Sequence, residues 1–253
     1  MELGLTNRVV LVTGSSSGIG RATALAFGRE GACVGITYRS QRQQAEETAR
    51  RVIEVGGQAV VIPYDLAREE TIKEAVKIVG QQWGHIDVLV NNAVQWGSLE
   101  DMSKRFEEVP MSSWKPTLDL QLSGVYHTLQ QVVPLMRAHG WGRIVNISSN
   151  VAEDGIPGTG AYAAAKAGLH GLTRVLAREL GPAGILSNVV LPGFTLTERN
   201  RDQFPQAMQT AVAQQTPTGR LTKPEDVAAL IVFLGSVANS HVNGETIRCT
   251  GGI

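Results

Sequence analysis

Short runs of Val, Ile and Leu recur along this chain, apolar at successive rather than alternate positions, and each is followed by a longer stretch with apolar residues at helical spacing. The runs predict strands over Arg8 to Val12, Ala32 to Thr37, Ala59 to Tyr64, Ile86 to Asn91, Gly142 to Ser148, Ile185 to Leu191 and Glu245 to Cys249. The helical pattern predicts helices over Ile19 to Glu30, Arg42 to Val55, Glu69 to Trp83, Ser113 to His139, Tyr162 to Leu180 and Pro224 to Leu234. Strands apolar on both faces that alternate with long helices imply parallel pairing with helices covering both sides. The expected fold is a doubly wound α/β sheet, with ligands at the carboxyl ends of the strands near the point where strand order reverses. Gln95 to Lys115 and Gly193 to Lys223 carry little strand signal and follow strands, so they belong at that ligand-binding edge.

Composition adds exclusions. The chain has 253 residues with 23 Lys+Arg against 23 Asp+Glu, so it lacks the basic excess by which proteins grip nucleic acid or an anionic membrane. A chain of this length buries roughly 70 to 75% of its unfolded surface in one core, and one domain, residues 1–253, is expected, with substrate loops at about 94–115 and 193–222. Cys33 and Cys249 fall in strand-like segments and suit buried reduced thiols. No secretion-signal pattern opens the chain, and its apolar runs are well short of the roughly 18 residues needed to cross a bilayer. The expectation is a soluble, cytoplasmic protein.

The first strand is followed by Thr13-Gly14-Ser15-Ser16-Ser17-Gly18-Ile19-Gly20 and then a helix. Three glycines at this spacing permit a tight turn, close approach of a pyrophosphate and close helix–sheet packing, while the helix start offers free N–H groups and partial positive charge. This is a dinucleotide-binding signal, although such loops also occur as plain strand-helix turns. Gly14-Ser15-Ser16-Ser17-Gly18 also matches the G-x-S-x-G elbow of α/β hydrolases. That reading lacks an upstream strand and loop for an oxyanion hole, since only about a dozen residues precede the turn.

Tyr162-Ala163-Ala164-Ala165-Lys166 puts a phenol and an ammonium at i and i+4, on one helix face. A fixed cation close by is expected to lower the phenol pKa toward neutrality and make Tyr162 a general acid or base. Ser149 lies thirteen residues before Tyr162. Taken in order, Thr13 to Gly20, Asp65, Asn91-Asn92-Ala93, Ser149, Tyr162, Lys166, Pro192-Gly193 with Thr197, Asn243-Gly244 and Gly251-Gly252 make the chain resemble the short-chain dehydrogenase/reductase family over nearly its full length. Within the family it looks most like the 3-oxoacyl-carrier-protein reductase type.

The resemblance implies a Rossmann-type sheet and hydride transfer from a nicotinamide cofactor to a ketone. Tyr162 would protonate the carbonyl oxygen, Ser149 would hydrogen-bond it, and Lys166 would hold the nicotinamide ribose while lowering the Tyr162 pKa. Gly14, Ser16, Ser17, Gly18, Ile19 and Gly20 would contact the cofactor at the glycine loop. Asp65 and Asn91 would lie toward its adenosine half, and Pro192, Gly193 and Thr197 along the nicotinamide, with Leu66, Asn92, Ala93 and Thr195 also in contact. Ser148, one residue out of register, reads as structural. Three departures from the family pattern stand on one side of the implied pocket: Gln121 where the family has an active-site Asn, Val94 where it has glycine, and a longer stretch from Gln95 to Ser113. They suggest a pocket reshaped for an unusual substrate, or neutral drift.

Cofactor choice is set where the second strand ends, because a carboxylate there pairs with the ribose 2′-OH of NAD and a basic residue suits the extra phosphate of NADP. Here the segment reads Tyr38-Arg39-Ser40, and no aspartate precedes Asp65. A guanidinium takes a phosphate bidentately, so NADP(H) is favoured over NAD(H). The expectation is an NADPH-dependent ketone reductase. The alternatives are an NAD-dependent secondary-alcohol or sugar dehydrogenase and a non-catalytic nucleotide-binding subunit. The resemblance implies a homotetramer acting on a small-molecule or carrier-bound carbonyl. His85, His127, His139, His170 and His241 show no metal-ligand spacing, and no metal site is expected.

Overall fold

The computed structural model describes residues 2–95, 104–198 and 200–253. Each predicted apolar run forms a strand: β1 (Val9–Val12), β2 (Cys33–Tyr38), β3 (Gln58–Pro63), β4 (Val88–Asn91), β5 (Gly142–Ile147), β6 (Ile185–Pro192) and β7 (Thr246–Cys249). They pair in parallel in the order β3-β2-β1-β4-β5-β6-β7. Order therefore reverses between β1 and β4, and the crevice outside their carboxyl ends is where a ligand fits such a sheet.

Alternate residues of each strand enter different cores. Val10, Val12, Val34, Ile36, Val88 and Val90 meet α1 (Gly18–Arg29) and α9 (Pro224–Leu234) through Ala24, Phe27, Val227 and Ile231. Val9, Leu11, Leu89 and Ile144 meet α3 (Glu69–Trp83), α5 (Gly124–His139) and α7 (Gly160–Leu180) through Ile72, Val79, Val132 and Leu169. Both faces of the five inner strands, β2, β1, β4, β5 and β6, are dry, which is why their sequences are almost continuously apolar, whereas the edge strands β3 and β7 are partly exposed. Between β2 and β3 runs α2 (Arg42–Glu54), with Ala45, Ala49 and Val52 turned inward.

The helix expected over Ser113 to His139 is not continuous. It begins as α4 (Met111–Leu118), widens into a π-helical turn over Asp119–Ser123, and resumes as α5. Pro116, inside α4, has no N–H for the helical ladder, and the wider turn that follows absorbs an offset that apolar spacing cannot reveal. Gln121 sits in this turn, buried. Two short helices, α6 (Val151–Asp154) and α8 (Gln206–Gln215), complete the ligand-side connections. Cys33 and Cys249 are both free thiols, the first buried and the second half-buried. Among the described residues no helix is long and apolar enough to cross a membrane.

Candidate active site

The glycine loop leaves β1 at the reversal point and is fixed from both neighbouring strands. Gly14 N–H donates to Thr37 Oγ1 (2.7 Å), and Ser15 Oγ accepts from Thr37 N–H (2.8 Å). From the other side, Thr13 Oγ1 accepts from the N–H groups of Asn92 and Ala93, each at 2.9 Å, and donates to the Val90 carbonyl (3.2 Å). Asn92 Nδ2 donates to the Thr13 and Gly14 carbonyls at 2.9 and 3.1 Å. Gly14 has φ +66°, and a Cβ there would lie 2.8 Å from Ala93 Cα; a Cβ on Gly20 would lie 2.3 Å from the Gly14 carbonyl oxygen. Glycine is therefore dictated by close approach as well as by backbone conformation.

Ser17 takes the position before α1 without capping it by its side chain, so the first helical N–H groups are left to outside acceptors. One such acceptor is present. Glu198, on the segment after β6, accepts from Gly18 N–H (Oε2, 3.3 Å) and pairs with Arg21 Nη1 (Oε1, 2.9 Å). A carboxylate thus stands at the start of α1, which shows that the loop, with Ser16 and Ile19 beside these residues, offers donors to an anion. The residues present therefore fit the phosphates of a dinucleotide. Glu198 is absent from the sequence-based site, because nothing in the spacing ties it to a loop 180 residues earlier.

At the second strand's end, Tyr38 is half-buried, while Arg39 and Ser40 are exposed. Arg39 Nη1 donates to Gln95 Oε1, and the carbonyl of Gln95 accepts from Gln121 Nε2. Gln95 thus joins the residue expected to read a 2′-phosphate to the one in the place of the family Asn. Gln121 Oε1 is buried without a hydrogen-bond partner among the described residues. Asp65 follows β3 and caps its own turn through Ala67 N–H (3.0 Å), and Leu66 lies so close to Gly124 that a Cβ there would be 2.8 Å from Leu66 Cδ2. Asn91 does not face the crevice as expected. Its Nδ2 donates to Asn146 Oδ1 (2.8 Å), which belongs to a buried chain ending at Thr173, because alternation along β4 puts Asn91 on the face of Leu89, beside its register partner Asn146 and toward α7. Of the unusual stretch after Val94, residues 96–103 lie outside the described residues.

The candidate reacting groups converge behind the carboxyl ends of β5 and β6. Ser149 follows β5, Tyr162 and Lys166 stand one turn apart on α7, and all three are buried. The Ser149 hydroxyl stands beside the Tyr162 phenol, and Lys166 Nζ lies 5.7 Å from the Tyr162 ring centre. Lys166 Nζ donates to the Ile147 carbonyl (2.9 Å). Ser148 Oγ is 2.8 Å from His170 Nε2 and donates to the Lys166 carbonyl (3.2 Å), bracing the helix from behind. Pro192 ends β6. Gly193 donates its N–H to the Cys249 carbonyl, Thr195 pairs with Thr222 in an isolated bridge, and Thr197 N–H donates to Asn200 Oδ1 (2.7 Å).

One electrostatic expectation is reversed. Burial drives the Tyr162 phenol above its ordinary range, against the opposing hydrogen bond from Ser149. Burial also pushes the Lys166 ammonium down to about 8. Desolvation disfavours the charged form of each group, and it outweighs the attraction that adjacent i and i+4 positions suggested.

Comparison with known proteins agrees with this geometry. A family model described as enoyl-(acyl carrier protein) reductase matches residues 14–253. The 3-oxoacyl-(acyl-carrier-protein) reductase FabG of Thermotoga maritima is 38% identical over 250 residues, covering 98% of each chain. The protein of the same name from Staphylococcus epidermidis is 35% identical over 248 residues, covering 98% of this chain and 99% of that one. The crystal structure of levodione reductase superposes with a TM-score of 0.90 at 30% identity, covering 97% of each chain.

Proposed function

This chain belongs to the short-chain dehydrogenase/reductase family of oxidoreductases, and on that footing we propose that it reduces a ketone to a secondary alcohol with NADPH, Tyr162 acting as the acid. The carrying observation is the burial of Ser149, Tyr162 and Lys166 together, with the Ser149 hydroxyl beside the Tyr162 phenol. Two neighbouring hydroxyl donors suit the two lone pairs of a carbonyl oxygen. The raised phenol supports reduction over oxidation: at neutral pH Tyr162 keeps its proton, the state an acid needs to donate. Ser149 orients the oxygen and steadies its developing charge, and the buried Lys166 ammonium supports the phenolate left after proton transfer.

When bound, the nicotinamide cofactor supplies the hydride. The residues to hold it are the glycine loop Gly14 to Gly20 for the phosphates, Arg39 with Ser40 for the 2′-phosphate, Asp65 and Leu66 for the adenosine side, and Lys166, Pro192, Gly193, Thr195 and Thr197 for the nicotinamide half. Asn92 and Ala93 support the loop from below. The FabG relatives suggest a 3-oxoacyl thioester on a carrier protein as substrate, with loops 94–115 and 193–222 shaping the pocket. The exposed Tyr126 on α5 and Val175 on α7 are consistent with a homotetramer built on those helices, and a cytoplasmic location follows from the same resemblance.

The test is NADPH oxidation monitored with a panel of ketones and 3-oxoacyl thioesters. Tyr162→Phe is expected to lower turnover by about a thousandfold while leaving cofactor binding, read by NADPH fluorescence, intact. Full turnover in that variant would remove Tyr162 from the reaction.

A further inference from the structure

The edge of the sheet opposite Tyr162, at the amino ends of the strands, holds a second cluster of reactive side chains. Asp87 immediately precedes β4 and is fully buried. Its carboxylate has about four acceptor positions. Protein donors take two: Val9 N–H on Oδ2 (2.8 Å) and Arg8 Nη1 on Oδ1 (2.9 Å). Two imidazole nitrogens stand beside what is left, His85 Nε2 at 3.0 Å from Oδ2 and His139 Nε2 at 3.6 Å from Oδ1.

His85 faces an acceptor with each ring nitrogen. Nδ1 is 3.1 Å from the Trp83 carbonyl oxygen, and Nε2 is 3.0 Å from the carboxylate. A neutral imidazole has one N–H, so it satisfies one of these acceptors and turns a lone pair on the other. With Nδ1–H on the Trp83 carbonyl, a further positive particle is called for between Nε2 and Asp87, either a proton or a metal ion. The second imidazole separates the two. His139 stacks on His85 with ring centres 4.6 Å apart and planes 20° from parallel, which brings another Nε2 to the same carboxylate. Two protonated rings so stacked would repel, whereas one metal ion takes both lone pairs once the exposed His139 ring turns out of the stack so that the two ring planes meet at the ion.

We propose that His85, Asp87 and His139 form a binding site for a divalent transition ion of the zinc class. Their donor atoms lie within 4.8 Å of one another, and two imidazoles with a carboxylate make a three-ligand set that leaves one position for water. The Trp83 carbonyl fixes the His85 ring by its outer N–H, the usual support for a metal-bound histidine. Bonds of about 2.0 to 2.2 Å require the donors to draw together by roughly 1 Å. His139, the last residue of α5 and 42% exposed, has room to make that movement. Two guanidiniums stand near, Arg8 and Arg143, each 4.3 Å from the Trp141 ring centre. Arg143 donates to the carbonyls of Gly142, Gly184 and Asn239. Their positive charge weakens the site, so micromolar affinity is expected. The ion would tie the entry of β4 to the end of α5, remote from the reacting hydroxyls.

The test is calorimetric titration of the tag-free, metal-stripped full-length protein with Zn²⁺ near neutral pH, with Co²⁺ absorption as a second readout. The expected result is one ion per chain, affinity weakened about tenfold or more by His85→Ala and by His139→Ala, a Co²⁺ spectrum free of thiolate charge transfer, and ketone reduction unchanged in His139→Ala. No saturable uptake, uptake equal in both histidine variants, or a thiolate spectrum pointing to Cys33 or Cys249 would overturn the proposal. So would stability that titrates in the histidine range without ion uptake, since a proton would then be the cation.

Discussion

Lys166 Nζ donates to the carbonyl of Ile147 at 2.9 Å, so the buried ammonium of α7 is tied to the last residue of β5. Burial lowers this group from 10.5 to about 8. If its charge supports the Tyr162 phenolate, kcat/KM for ketone reduction falls as pH rises through about 8. The stability effect has the opposite slope. Between about 8 and 10.5 the unfolded chain holds a proton that the folded chain has released, so stability rises with pH across that window. Below it, the buried charge costs on the order of 3 kcal/mol. Lys166→Met is expected to abolish turnover and flatten the rise in Tm over that window; a Tm profile unchanged from wild type would count against a buried ammonium.

Arg39 and Gln95 set the second expectation. Gln95 holds the Arg39 guanidinium, so a 2′-phosphate has to displace an amide rather than water. Arg39→Ala is expected to reduce kcat/KM for NADPH by about tenfold or more while changing NADH little, a bidentate charged contact being worth about 1.5 to 3 kcal/mol. Gln95→Ala should favour NADPH further. Equal losses with both cofactors in Arg39→Ala would show that Arg39 does not read the phosphate.

Glu198 competes for the donors at the start of α1. Replacing its charge in Glu198→Gln is expected to tighten NADPH binding about threefold, from the contribution of a carboxylate at a helix N-terminus. Fluorescence titration decides the matter, and weaker binding would mean that Glu198 helps to hold the cofactor.

Gln121→Asn shortens the side chain by one methylene and withdraws its amide from the Gln95 carbonyl. A pocket specialised around Gln121 predicts reduced turnover on the preferred ketone, of about tenfold for one lost positioning contact, with NADPH affinity retained. Turnover that rises instead would identify the substitution as drift.

The inner strands are legible because both their faces are dry, which leaves apolar runs such as Val9–Val12 and Val88–Asn91, and the partly exposed edge strands β3 and β7 still keep short apolar runs such as Ala59 to Ile62. The glycine loop and the Tyr162–Lys166 pair were legible because their geometry is local, set within one turn. What was hidden depends on long-range placement or burial. The π-helical turn at Gln121 needs a register offset that apolar spacing does not record, and the pairings of Glu198 with Gly18 and of His85 with His139 join distant parts of the chain. The sign of the Tyr162 shift also escaped, since sequence shows that a cation is adjacent but not how dry the place is.

The Thr13 hydroxyl has every hydrogen-bonding position in use, accepting from two amides beyond β4 and donating to the Val90 carbonyl. The crevice therefore cannot widen by parting β1 from β4, because that would strip two buried amides at once. Its opposite wall is held by the half-exposed ion pair Arg21–Glu198. Traffic is thus one-sided: the wait for an incoming cofactor is expected to track how often Glu198 leaves Arg21 and Gly18, which makes salt concentration a handle on association while the proton-transfer step is left unmoved.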